Sequence, residues 1–230
     1  PADPPPAESE AAARVRTLLT DAVRRRLVAD VPLGAFLSGG IDSSIIVGVM
    51  SGLVREPVRT FSIGFAGDPR FDETAYARLA ARRFRTAHTE FTVEPSSVSL
   101  IERLVWHHDG PFADSSAIPT YLLSRLTREH VTVALTGDGG DELFAGYLRF
   151  YAAVLSERAP RWAREAARRL FAGLPDAGGH RSLLHRLRKF AGSASLPFAE
   201  RFSRWMSVFY QDQPALLPAC RDRRMPLAAL

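Results

Sequence analysis

The chain has 230 residues, 46% of them hydrophobic, and a formal net charge of +5. That is enough apolar material for a buried core, and the positive balance leaves nucleic acid and polyphosphate open as partners. A single cysteine, Cys220, excludes an internal disulfide and a cysteine-rich zinc cage, and no apolar run reaches membrane-spanning length, so a soluble, cytoplasmic protein is expected.

Residues 1–10 read as a proline-rich disordered lead. Val15, Leu18, Leu19, Ala22, Val23 and Leu27 then recur at helical spacing within Glu8 to Asp30, with arginines on the other face. Pro32 ends this helix, and Leu33 to Leu37 is a short apolar run of the kind that forms a buried parallel strand. The turn Ser38-Gly39-Gly40 leads into a helix over Asp42 to Val54, and Val58 to Phe65 is a second strand. The alternation continues with helix Asp72 to Arg85, strand His88 to Val93, helix Pro95 to Trp106, helix Ile118 to Arg128 and strand Val131 to Leu135. A second glycine-rich turn, Thr136 to Gly140, follows that strand and opens a helix-like stretch, Glu142 to Tyr147.

The expected fold class is therefore α/β, an open parallel sheet with helices on both faces and ligands bound beyond the carboxyl ends of its strands. Residues 11–150 form this core; residues 151–210 are an α-helical extension, and 211–230 an irregular tail. The run from Arg158 to Arg204 holds eleven Arg or Lys against Glu165, Asp176 and Glu200, which reads as a solvated helical face. Lys189 is placed on that surface, Cys220 receives no role, and His88, His107 and His108, without zinc-ligand spacing, are structural.

Two turns carry chemistry. Ser38-Gly39-Gly40-Ile41-Asp42-Ser43-Ser44 lies between a strand and a helix start, where backbone N–H groups and the helix dipole attract an anion and glycines let the backbone approach a phosphate. Asp42 beside a polyphosphate calls for a bridging cation, hence Mg²⁺. The loop lacks the Gly-Lys-Ser/Thr of a Walker A motif, so γ-phosphate transfer is not indicated. In the second turn Asp138, Asp141 and Glu142 stand among three glycines, a pattern that fits metal binding and proton handling better than helix capping alone.

SGGIDSS together with TGDGGDELFAGY resembles the synthetase domain of glutamine-dependent asparagine synthetases, of the N-type ATP-pyrophosphatase (PP-loop) group with its adenine nucleotide alpha-hydrolase-like fold; the TFSIGF and PFADSSAIPTYLLS segments add to the likeness. The resemblance implies that an aspartate side-chain carboxylate attacks the α-phosphorus of ATP, pyrophosphate leaves, and ammonia displaces AMP from the β-aspartyl adenylate. It implies that Ser38, Gly39, Gly40, Ser43 and Ser44 cradle pyrophosphate, that Asp42 and Asp141 hold Mg²⁺, and that backbone near Phe36, Ile63, Thr136 and Gly137 seats ATP. Asp138 falls where the family often has glutamate, a position tied to forming the intermediate and deprotonating ammonia, and Tyr147 matches a tyrosine near the phosphates.

Asp109-Gly110-Pro111 departs from the Asp-Glu-Pro common in that family. With no cysteine before Cys220, a glutaminase domain is not expected in this chain, nor is the later lysine that touches the phosphates; ammonia would come from elsewhere, a homodimer is one assembly for a full-length protein, and the chain alone is expected to turn over slowly. The same two turns also fit related adenylating amidotransferases or cyclases of natural-product or polysaccharide pathways, an inactive nucleotide-binding fragment and, less well, a tRNA-modifying pyrophosphatase.

Overall fold

The computed structural model describes residues 6–65, 74–93, 100–110, 114, 116–172 and 190–206; Lys189, Cys220 and the expected tail 211–230 lie outside these. The chain divides into two compact units, Pro1–Gly140 and Asp141–Leu230. The division falls within the second glycine-rich turn; among the described residues the last strand ends at Leu135 and helices follow it.

The first unit begins with α1 (Glu8–Arg26), starting at Glu8 as its periodicity predicts, with Glu8 and Glu10 in its first turn and Arg24 to Arg26 in its last, both complementing the helix dipole. It stops well short of Asp30: Leu27 closes the final turn, and the chain must leave helical geometry before Pro32, which disfavours the α conformation at Val31. Then come β1 (Leu33–Phe36), α2 (Ile41–Leu53), β2 (Arg59–Phe65), α3 (Thr74–Phe84), β3 (Ala87–Val93), α4 (Ile101–His107), α5 (Ala117–Thr127) and β4 (Val133–Leu135).

The strands form one four-stranded sheet in the order β3-β2-β1-β4, parallel throughout, with helices packed around it as expected. β1 is central: Gly34 pairs with Arg59 on one side and Ala134 on the other. Its apolar run is buried, and Ala35 and Leu37 join Val47 and Met50 of α2, Ala77 of α3, Val23 of α1 and Leu135 of β4 in a single core. The chain runs outward from β1 to β2 and β3 and then returns to the other flank of β1 as β4. The direction of winding therefore reverses between β1 and β4, and that reversal point is where open parallel sheets leave a crevice at their carboxyl edge.

Polar side chains along the β2–β3 pair are hydrogen-bonded to one another. Thr60, fully buried in β2, shares a hydrogen bond with Thr86 (2.8 Å), and the His88 ring lies between Thr60 Oγ1 at Nδ1 (3.0 Å) and Ser62 Oγ at Nε2 (3.2 Å). Burial holds the His88 imidazole below its ordinary pKa, and nearby Arg78 pushes the same way, against the opposing pull of Glu90.

The second unit starts with the end of α6 (Gly140–Phe144), followed by α7 (Leu148–Arg158), α8 (Arg161–Ala172) and α9 (Phe198–Met206). The helix-like stretch expected through Tyr147 ends at Phe144, because Ala145 takes a left-handed conformation (φ 56°) and Gly146 N–H closes the helix end onto the Asp141 carbonyl at 2.9 Å. α7 and α9 pack through Phe150 and Phe202, whose rings stack at 5.8 Å. The arginine-rich run is only partly a solvated face. Arg168 and Arg169 both pair with Glu165, but Arg201 is wholly buried: it donates to the Ala194 and Leu196 carbonyls at 3.1 and 3.0 Å and to the Glu157 carboxylate. Beside it Trp205, also buried, donates to Ser193 Oγ at 2.8 Å and stacks on Phe190.

Two outcomes follow. Because the unfolded state holds its His88 proton more tightly than the folded state, stability should fall as pH drops below about 6.5, and His88→Asn should flatten that dependence in denaturant titrations at stepped pH. Arg201→Ala should destabilise the second unit by about 3 kcal/mol by stripping two carbonyls and a carboxylate of their donor, with Arg201→Met losing less; the fluorescence of buried Trp205 reports the unfolding.

Candidate active site

The first turn is a strand-to-helix connection built for close contact. Gly39 has φ 81°, and a Cβ there would collide with the backbone of Tyr76 and Ala77, so α3 backs the loop directly. Ser38 Oγ accepts from Gly40 N–H (3.2 Å) and lies 3.0 Å from Ser43 Oγ, which donates to the Gly40 carbonyl at 3.2 Å. The serines thus lock the loop through one another. None of them caps α2: its N-cap is Gly40, with no side-chain capping bond, so the ordinary use of Ser and Asp at a helix start is not what these residues do. The opening turn keeps its backbone donors and the positive end of its dipole for another group.

The second turn meets the first. A Cβ on Gly137 would sit 2.6 Å from Ser43 N and 2.9 Å from the Asp42 carbonyl carbon, and one on Gly140 would sit 2.5–2.9 Å from the Asp42 carboxylate. Only bare glycine backbone allows the two segments to touch, and they touch at the reversal point between β1 and β4. Within the turn, Thr136 Oγ1 donates to Asp138 Oδ2 at 2.9 Å and accepts from Asp138 N–H at 3.3 Å, and Gly140 N–H closes onto the Gly137 carbonyl.

Ser38, Gly39, Gly40, Asp42, Ser43, Ser44, Thr136, Gly137 and Asp138 therefore come together at one sheet edge. Phe36 ends β1, and Ile63 lies toward the end of its neighbour β2, on the same edge. Asp141 and Tyr147 belong to the second unit. There Tyr147 precedes α7, and its hydroxyl donates to Glu142 Oε1 at 2.6 Å, which holds the phenol above and the carboxyl below their ordinary pKa values. Sequence reasoning grouped Glu142 with the acids of the turn and missed this pairing; the five-residue spacing to Tyr147 becomes a contact only through the reversal at Ala145.

Among the described residues no three His, Cys, Asp or Glu side chains gather as a ready metal cage. Asp42 itself has no hydrogen-bond or ion-pair partner among them. A carboxylate with no partner among the described residues, at the start of α2 beside a glycine-rich loop, suits a hard cation such as Mg²⁺, which takes oxygen ligands and keeps several waters. No described helix is long and apolar enough to cross a membrane.

The asparagine synthase family model matches residues 14–221. This chain belongs to the asparagine synthase family. Among family relatives, asparagine synthetase 1 (glutamine-hydrolysing) of Bacillus subtilis is 37% identical over 78% of this chain and 29% of its own length. A protein of Methanocaldococcus jannaschii bearing the asparagine synthetase name is 47% identical over 58% of this chain and 26% of its own. Amidase chyE of Penicillium rubens is 35% identical over 67% of this chain and 25% of its own. The chain thus spans about a quarter of the length of these family relatives. An NH3-dependent NAD synthetase structure from Campylobacter jejuni superposes with a TM-score of 0.39 at 13% identity over 59% of this chain and 60% of that one, a likeness too slight to bear on the chemistry.

Gly140→Ala should push the Asp42 carboxylate aside and weaken binding of ATP with Mg²⁺ by about tenfold or more in calorimetry. Gly52→Ala, a change into open space within α2, should leave that affinity unchanged and stabilise the helix by up to about 1 kcal/mol.

Proposed function

We propose that this chain is the ATP-activating part of a carbon–nitrogen ligase of the asparagine synthetase type. The observation that carries the reading is the glycine-only contact of Gly137 and Gly140 with Asp42 and Ser43, which sets a phosphate-cradling loop against an acidic turn at the carboxyl edge of a parallel sheet. A carboxylate oxygen of the substrate, aspartate in the first instance, attacks the α-phosphorus of ATP, the bond to the β-phosphate oxygen breaks, and pyrophosphate leaves. Ammonia then attacks the acyl carbon of the adenylate, AMP departs, and the nitrogen loses a proton to give the amide.

In this reading the open N–H groups of α2 and the hydroxyls of Ser38, Ser43 and Ser44 hold the leaving pyrophosphate, and Phe36, Ile63, Thr136 and Gly137 line the seat of the nucleotide. Asp42, with Asp141 as its expected companion, would hold Mg²⁺, which supplies positive charge against that developing on the leaving group. Asp138, steadied by Thr136, takes the proton from the attacking nitrogen; its second carboxylate oxygen makes no bond within the turn. Tyr147 is the tyrosine that the resemblance places near the phosphates.

The test is release of pyrophosphate and AMP from ATP, Mg²⁺, ammonium and a panel of carboxylates, since the relatives carry both asparagine synthetase and amidase names. Aspartate should give the highest rate, and Asp42→Asn should lower pyrophosphate release by about a hundredfold. Equal rates for Asp42→Asn and the unaltered chain, or no carboxylate-dependent release at all, would sink the reading.

A further inference from the structure

The first turn spends most of its side-chain donors on itself. A hydroxyl has one proton to give. Ser43 gives its proton to the Gly40 carbonyl, Ser38 therefore gives its own to Ser43, and the Gly40 N–H is taken by Ser38 Oγ. Of the loop's three serines, Ser44 alone has a hydroxyl without a partner among the described residues. Neither glycine-rich turn contains a lysine or an arginine. A polyphosphate seated against this loop therefore brings more acceptor oxygens than the loop's free side-chain donors can serve, and a donor from outside the loop has work to do.

The element that backs the loop is α3. A Cβ on Gly39 would fall 2.3 Å from the carbonyl carbon of Tyr76 and 2.6 Å from its Cβ, so the Tyr76 side chain leaves its helix right beside the loop. Thr74, Ala77 and Ala81 are the buried residues of α3, and Ala77 and Ala81 fix it against the core. Tyr76 lies on a more open face: the residue is 64% exposed, and its hydroxyl has no partner among the described residues. Arg78, the neighbouring cation of the same helix, is already committed, donating to both carboxylate oxygens of Glu90 at 3.1 Å. A phenol with an ordinary pKa near 10 keeps its proton at neutral pH and can give it to an anion. We propose that Tyr76 is a further phosphate-binding residue of this site, its hydroxyl donating a hydrogen bond to a non-bridging oxygen of the pyrophosphate held by the loop. This rests on the reading of the loop as a pyrophosphate cradle, and it adds to that cradle a donor from a third element of the first unit.

The experiment titrates the full chain with inorganic pyrophosphate and Mg²⁺ in a calorimeter and follows urea unfolding of the same samples. Tyr76→Phe, which removes only the hydroxyl, should weaken pyrophosphate binding by about tenfold, the loss of one donor to a charged acceptor, and leave the urea midpoint unchanged. Tyr76→Ala should lose at least as much. Leu79→Ala, a change at a similarly exposed residue of α3, should bind within about twofold of the unaltered chain. Pyrophosphate affinity unchanged in Tyr76→Phe overturns the proposal, and a loss confined to Tyr76→Ala does the same, because the ring would then act without its hydroxyl. Equal losses in Leu79→Ala and Tyr76→Phe also overturn it, since the surface of α3 and not the phenol would be responsible. An unaltered chain that binds neither ATP nor pyrophosphate instead removes the ligase reading, and the role of Tyr76 falls with it.

Discussion

Two backbone segments far apart in sequence meet in the first unit where glycines on one of them leave room for the other, and the rest of the arrangement depends on that contact. Gly137 presses on Ser43 N, and Gly140 leaves just enough room for the Asp42 carboxylate. The sheet makes this possible, because β1 and β4 are neighbours in register and their following turns leave from the same edge. The hydroxyl bonds among Ser38, Gly40 and Ser43 then fix the loop at the level where the uncapped start of α2 can meet an anion. Core burial of Ala35, Leu37, Val47 and Leu135 supplies the rigidity behind the contact. The chemistry proposed for the site uses that rigidity: an anion cradle acts in catalysis only if its donors are in place before charge develops.

Much of this could be read from residues alone. The apolar runs at Leu33 to Leu37, Val58 to Phe65 and Val131 to Leu135 signalled parallel strands, and the glycine-rich turns after the first and the last of them marked where two backbone segments meet at the sheet edge, because strand and helix periods differ sharply and glycine marks where backbone must come close. Helix ends were read less well. α1 was expected to reach Asp30 and the stretch after Glu142 to stay helical to Tyr147; one was cut short by the approach to Pro32, the other by a left-handed residue that is an alanine and so gave no local signal. Arg201 was hidden for a different reason. Within an arginine-rich amphipathic run each guanidinium looks solvated, and only the packing of α7 against α9 shows that one of them is buried against two carbonyls and Glu157.

The acids of the second turn show the same limit. Composition joined Asp138, Asp141 and Glu142 into one cluster, yet each has its own geometry: Asp138 is held by Thr136, the Asp141 carbonyl closes the end of α6, and Glu142 accepts a hydrogen bond from Tyr147. Charge proximity along a chain says little about which partner each carboxylate finds, since that depends on the turn conformation between them. Family membership, by contrast, rests on the ordered series of motifs across residues 14–221 and is insensitive to such detail.

The bare amino end of α2 has a thermodynamic side. A helix start without a capping side chain forgoes roughly 1 kcal/mol that a serine or aspartate would ordinarily contribute. An anion seated there returns that energy, so occupancy and folding become linked, and each further tenfold excess of nucleotide over its dissociation constant deepens the native well by about 1.4 kcal/mol. In the reading proposed for this site, nucleotide would be a structural component of the first unit as much as a reactant.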